Sequence, residues 1–212
     1  NEPQNCTECW SKGRAVQDSQ YNAICKSERY GIAYSGFLRI EDKNEIPCYP
    51  KCLKENDSCL ENILEDNYIG PTSFSLIRMK AIKMVGGFDE KIKVCQEYEL
   101  WIRILEKYDA ICVNELLGNY YYSEDSTFKN VDKYLNGCNV LINKHDNVYK
   151  NYPRALSNKL INMFVYACKK HKWKEALKYK KRAFEACPTN VNNFTLFVAL
   201  KKLRSVYEKC CY

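Results

Sequence analysis

Apolar residues change their rhythm along this chain. Up to about residue 150, runs that alternate with period two are interleaved with runs of helical period; beyond it only the helical period remains. Ile32 and Tyr34, with Phe37 further on, alternate as a short strand does. Residues 41–45 read as a turn, and residues 46–56, rich in Pro, Lys and Cys, as a loop. Ser58 to Glu65 suits a short helix with Leu60, Ile63 and Leu64 on one face. Phe74 and Leu76, with Thr72 in phase, alternate as a buried strand. Lys80 to Val85 is a helical turn closed by Gly86 and Gly87. Gln96 to Lys107 forms a helix whose inward face is Leu100, Trp101, Ile104 and Leu105. Ala110 to Val113 and Leu116 to Tyr122 read as two strands, and Asp132 to His145 as a helix. After Tyr152-Pro153, Leu156, Leu160, Ile161, Phe164, Val165 and Cys168 recur at helical spacing, and Phe194 to Tyr207 supplies a last helix. The pattern predicts an α/β domain over residues 1–149 and a helical extension over residues 150–212.

Chemistry concentrates in residues 85–103. The glycines at 86 and 87 permit backbone angles that other residues resist, and release Phe88, Asp89 and Glu90 from the preceding helix. An acidic helix then opens at Gln96 and Glu97, where carboxylates suit the helix dipole. Such a turn and helix start hold a carboxylate at the mouth of a cleft, where it could take a proton from a hydroxyl. The plainer alternatives are that Glu97 only favours the dipole and that Asp89 and Glu90 only end the turn. Trp101 falls on the core face, Arg103 is placed to pair with a nearby carboxylate, and Tyr120 to Tyr122 either stack on a sugar ring or simply alternate along a strand.

Val85-Gly-Gly-Phe-Asp-Glu90, then Gln96, Tyr98, Glu99, Leu100, Trp101 and Arg103, resemble the acceptor-side motif of family 2 glycosyltransferases. The segments 30–37, 67–78 and 111–120 resemble strands that flank this motif, so the likeness spans about residues 30–145. It implies part of the GT-A (nucleotide-diphospho-sugar transferase) fold and inverting transfer of a sugar from a nucleotide-sugar donor to a saccharide or lipid-linked acceptor. A role in building surface polysaccharide or glycolipid follows from the same likeness. Glu97 stands where the family has its catalytic-base Asp, so the resemblance makes Glu97 the base. Thr72, Ser73, Gly86, Gly87, Phe88, Asp89, Glu90 and Gln96 become the substrate-binding residues. Mg2+ or Mn2+ is expected for the family, yet no metal ligand is identifiable, because the nucleotide-binding strand and the Asp-x-Asp motif are not found. Asn5 and Thr7 fall roughly where those aspartates would, and Tyr121 and Ser123 replace an expected Arg and His. Either the donor half lies outside these residues or the donor site has been lost. The second case leaves an inactive sugar-binding or protein-interaction module. Trp173-Lys-Glu-Ala-Leu-Lys-Tyr179, followed by Ala183, Phe184 and Pro188, resembles part of a tetratricopeptide repeat, which keeps a helical scaffold as a further alternative.

Composition adds compartment and partners. The chain has 212 residues and a net charge of +7, with no apolar run long enough to cross a membrane and no secretory leader pattern. An odd count of 13 cysteines, scattered among helix-like and strand-like runs, suggests unpaired thiols in a reducing cytoplasm. Cys6-x-x-Cys9 lacks a matching second pair for zinc. Residues 150–212 hold 15 Lys or Arg against 3 acidic residues, whereas residues 1–149 are net acidic. This basic tail implies an anionic partner, and an anionic membrane surface fits. No apolar anchor is evident in the sequence, so attachment would be peripheral and salt-sensitive. No recognition motif indicates nucleic acid.

Overall fold

The computed structural model describes residues 18–41, 44–121 and 130–192. The chain forms two compact units, Asn1–Cys138 and Asn139–Tyr212. The first is mixed α/β, built on an open mixed sheet. The expected last helix at 194–207, the cysteines at 6 and 9, and Asn5, Thr7 and Ser123 lie outside the described residues.

Strand β1 (Tyr30–Glu41) is the spine of the sheet. Its buried run from Gly31 to Gly36 explains why alternation there is faint. Strand β4 (Asp109–Tyr121) runs parallel along one side of it. The other side is shared end to end. β3 (Ser75–Ile77) pairs antiparallel with Ile32, Ala33 and Tyr34, and β2 (Asn44–Cys48) pairs antiparallel with residues 37–41. Three expectations change here. Residues 44–48 form a strand rather than turn and loop; Pro47 is tolerated because β2 is an edge. Thr72–Phe74 is a single 3₁₀ turn, so the strand shrinks to three residues. The two strands expected at 110–122 are one strand, whose pairing with β1 shifts register near Gly36.

Helix α1 crosses residues 18–24. Its Ala23 and Ile24 pack on Ala33 and Val113, while buried Gln20 donates to Ser35 Oγ (3.1 Å) and to the Phe74 carbonyl (2.8 Å). Helix α2 (Cys59–Glu65) starts where Ser58 Oγ accepts the Glu61 N–H. Helix α3 (Met79–Val85) stops at Gly86, whose φ is 77°. The Gly87 N–H reaches the Ile82 carbonyl and the Gly86 N–H the Lys83 carbonyl, which is a Schellman closure. Helix α4 (Gln96–Leu105) is the buried centre of this unit; Leu100, Trp101, Ile102 and Ile104 are fully enclosed. Its Tyr98 hydroxyl donates to the Ile63 carbonyl (2.7 Å), locking α4 to α2.

Cys52 and Cys112 are joined by a disulfide across 60 positions, a pairing that the spacing of the cysteines does not reveal. Such bonds persist in oxidising compartments, so a cytoplasmic placement requires this pair to be reduced in the cell. Cys25, Cys48, Cys59, Cys95, Cys138, Cys168 and Cys187 are free thiols.

Helix α5 (Val131–Lys144) spans the division between the units. In the second unit, α6 (Asp146–Asn151) precedes α7 (Pro153–Lys169), which opens on Pro at its first position, where a missing N–H costs nothing. α7 packs on α8 (Trp173–Ala186), with the small residues Ser157 and Ala183 meeting at the contact. Ser157 Oγ donates to the Ala183 carbonyl (3.0 Å). Among the described residues no helix is long and apolar enough to cross a membrane.

Candidate functional site

The start of α4 opens on a cavity of about 520 Å3. One wall is the segment from Asp66 to Ser73, one is the segment from Lys93 to Tyr98, and Tyr120 and Tyr134 close the rest. Four residues singled out from the sequence meet here: Thr72, Ser73, Gln96 and Glu97. Phe88, Asp89 and Glu90 line a second, more open depression of about 410 Å3 with Lys93 and Gln96. Lys93 and Gln96 therefore belong to both linings. Gly86 and Gly87 line neither; their contribution is to the turn that presents Phe88 to Glu90. Phe88 is 52% exposed. Asp89 Oδ1 accepts the Lys91 N–H at 2.9 Å, which fixes the bend after the turn.

Two glutamates two positions apart on α4 have opposite fates. Residues i and i+2 of a helix lie about 200° apart around the axis, so they cannot face the same neighbour. Glu99 turns inward and has no exposed surface. Arg103, one helical turn on, donates to both of its oxygens at 2.7 Å. The same guanidinium donates to the carbonyls of Val85 and Gly87, the latter at 2.7 Å. Arg103 thus ties the glycine turn to α4, as the expectation that it pairs with a carboxylate requires. Glu97 is half-buried in the cavity wall, and among the described residues no hydrogen bond or ion pair engages its carboxylate. One carboxylate is committed to structure and the other is left available.

The residue before α4 carries strain. Cys95 sits in the left-handed region at φ 62°, ψ 34°, without a side-chain cap bond to the helix. Side chains rarely adopt that conformation, and such outliers gather at working sites. Cys95 also lines the cavity. The opposite wall is stiffened by Trp101, whose indole N–H donates to the Gly70 carbonyl (3.0 Å), and by Asn67, whose Oδ1 accepts the Gly70 N–H (3.1 Å). Behind it, Phe74 stacks on Phe37 at 4.6 Å, and a Cβ at Gly118 would approach Phe74 to 2.7 Å, so the glycine is what lets β4 come so close. Tyr120 extends this aromatic group into the cavity. Burial, and then the neighbouring Cys138, push the Tyr134 hydroxyl well above the usual phenol range.

Asp66, Lys93, Cys95 and Tyr134 were not singled out from the sequence. Asp66 and Tyr134 carry no local pattern, and they reach the site only through tertiary packing. Cys95 had one usable signal, its place directly before an acidic helix start. Tyr121, the described half of the pair that departs from the family, is exposed at the end of β4.

The carboxylates of the first cavity are Asp66 and Glu97, and those of the second are Asp89 and Glu90. Among the described residues no three His, Cys, Asp or Glu side chains come together in a way that would hold a metal ion. Comparison with protein-family models finds no match to the chain, and comparison with curated proteins finds no significant one.

Proposed function

We propose that the first unit is the acceptor-side part of an inverting glycosyltransferase with a GT-A-type fold. The observation that carries this reading is the uncommitted carboxylate of Glu97, in the wall of a cavity shared with Thr72, Ser73 and Gln96. The motif from Val85 to Arg103 supports it independently. In the reaction, Glu97 takes the proton of an acceptor hydroxyl. That oxygen attacks the anomeric carbon of a nucleotide-sugar, and the bond from this carbon to the diphosphate oxygen breaks on the opposite face, with inversion. Tyr120 offers an aromatic face to the ring of the saccharide or lipid-linked acceptor, and Lys93 places a cation between the two depressions. No step is assigned to a metal.

Glu97→Gln tests the reading, because it removes proton acceptance and keeps the shape. In transfer assays of a protein that joins this chain to its donor-binding half, with UDP-, GDP- and dTDP-sugars and saccharide acceptors, turnover falls by about 10²–10⁴-fold, with thermal unfolding unchanged. Equal turnover in the variant rejects Glu97 as the base. A second reading is a saccharide-binding module without turnover, in which Tyr120 and the polar wall of Thr72, Ser73 and Gln96 hold a sugar and no bond is broken. It requires saccharide binding that Glu97→Gln leaves intact, and no transfer from any of the donors.

A further inference from the structure

Helix α8 exposes apolar side chains where none was expected to serve as an anchor. Trp173, Leu177 and Phe184 are 59%, 65% and 47% exposed. At 3.6 residues per turn they lie within about 40° of one another around the helix. The buried face of the helix, formed by Ala176, Tyr179 and Ala183, is centred roughly 110° away. The stripe is thus a separate side of the helix rather than the fringe of its core face. Lys180 borders it on one side and Lys174 and Lys181 on the other, with Lys178 beyond; all four are exposed. Lys181 makes only a long, solvent-exposed contact of 3.9 Å with Glu185.

An occupant must supply an apolar layer next to negative charge. A second copy of α8 would bring the same lysines against these. Residues 193–212 carry Lys201, Lys202, Arg204 and Lys209 against Glu208 alone, so they too bring like charge. An anionic bilayer surface supplies both layers at the right depth: phosphates above, acyl chains just beneath. We propose that α8 is an interfacial helix that lies flat on an anionic lipid surface. Trp173, Leu177 and Phe184 sit among the headgroups, and Lys174, Lys178, Lys180 and Lys181 meet the lipid phosphates. This inference stands independently of the transfer reaction. It also changes the binding expected from charge alone: salt weakens the lysine contacts but leaves the apolar insertion in place.

Vesicle co-sedimentation of the whole chain decides the matter. Wild type pellets strongly with phosphatidylglycerol–phosphatidylcholine vesicles and weakly with phosphatidylcholine alone, and added salt lowers the first only to the level of the second. The triple variant Trp173→Ala, Leu177→Ala, Phe184→Ala lowers partitioning by at least about tenfold, the loss expected from forgoing burial of even one such side chain. Its circular dichroism keeps the wild-type helical content, because none of the three lies on the buried face of α8. Lys174→Glu, Lys178→Glu and Lys181→Glu together abolish pelleting. Equal pelleting of the apolar triple variant and wild type overturns the proposal, as it would if residues 193–212 cover the stripe. So does a wild-type dimer that the triple variant converts to monomer while neither binds vesicles, and so does wild type that fails to pellet.

Discussion

Removing the Arg103 side chain should be strongly destabilising. Glu99 has no solvent exposure and the Arg103 side chain only 18%, so the pair lies almost wholly inside. In Arg103→Ala, both oxygens of a buried carboxylate lose the guanidinium that donates to them, and so do the carbonyls of Val85 and Gly87. Leaving one partner of a buried pair without its counter-charge costs about 3–5 kcal/mol. A domain of this kind is stable by about 5–15 kcal/mol, so the variant forfeits about a fifth of its stability or more. Arg103→Lys keeps the charge but replaces a planar fork with a point donor, and recovers only part of the loss. Glu99→Leu with Arg103→Leu removes the need for a pair and should be milder than either single change. Urea unfolding followed by circular dichroism reads these as midpoint shifts at constant slope. An Arg103→Ala variant within about 1 kcal/mol of wild type, the value of an exposed ion pair, would refute the reasoning. The glycine turn would then be held by something other than this guanidinium.

Opening the Cys52–Cys112 disulfide frees a 60-residue loop in the unfolded chain, so Cys52→Ser or added reductant should lower stability by about 4 kcal/mol; identical melts with and without dithiothreitol would contradict this. Burial, and then the neighbouring Cys59, push the Tyr68 hydroxyl far above its ordinary value of 10.0, and burial does the same for Tyr34. The folded state therefore keeps these protons, while the unfolded chain releases them above about pH 10. Stability from the two phenols is full below that pH and declines as pH rises through it. The urea midpoint should fall on the alkaline side of pH 10, less steeply in Tyr68→Phe, and a flat profile would show the phenols to be solvated.

Much of the candidate site was legible locally. The inward face of α4, the closure of α3 at Gly86 and the pairing of Arg103 with a carboxylate follow from spacings of three to five residues. Those relations are set by helix geometry whatever the helix packs against. The two-glutamate question was not legible. Glu97 and Glu99 are the same residue type on the same turn, and only the position of Arg103 and the turn carbonyls decides which is consumed.

The sequence by itself determined helices α2 to α5, the buried face of α4, the glycine turn and the basic helical tail, because side-chain periodicity and turn chemistry act over a few residues; helix α1 and the buried face of α7 did not follow from it. Tertiary structure alone decided the parallel pairing of β1 with β4, the edge strand β2, the Cys52–Cys112 bond, the arrival of Asp66 and Tyr134 in the cavity, and the exposure of Trp173, Leu177 and Phe184. Strand partners are joined through backbone groups common to every residue, so nothing in a strand's own side chains names its neighbour. Exposure is likewise a property of what packs against a residue. Trp101 and Trp173 both begin as tryptophans on amphipathic helices, and one is enclosed while the other faces solvent only because of what surrounds them.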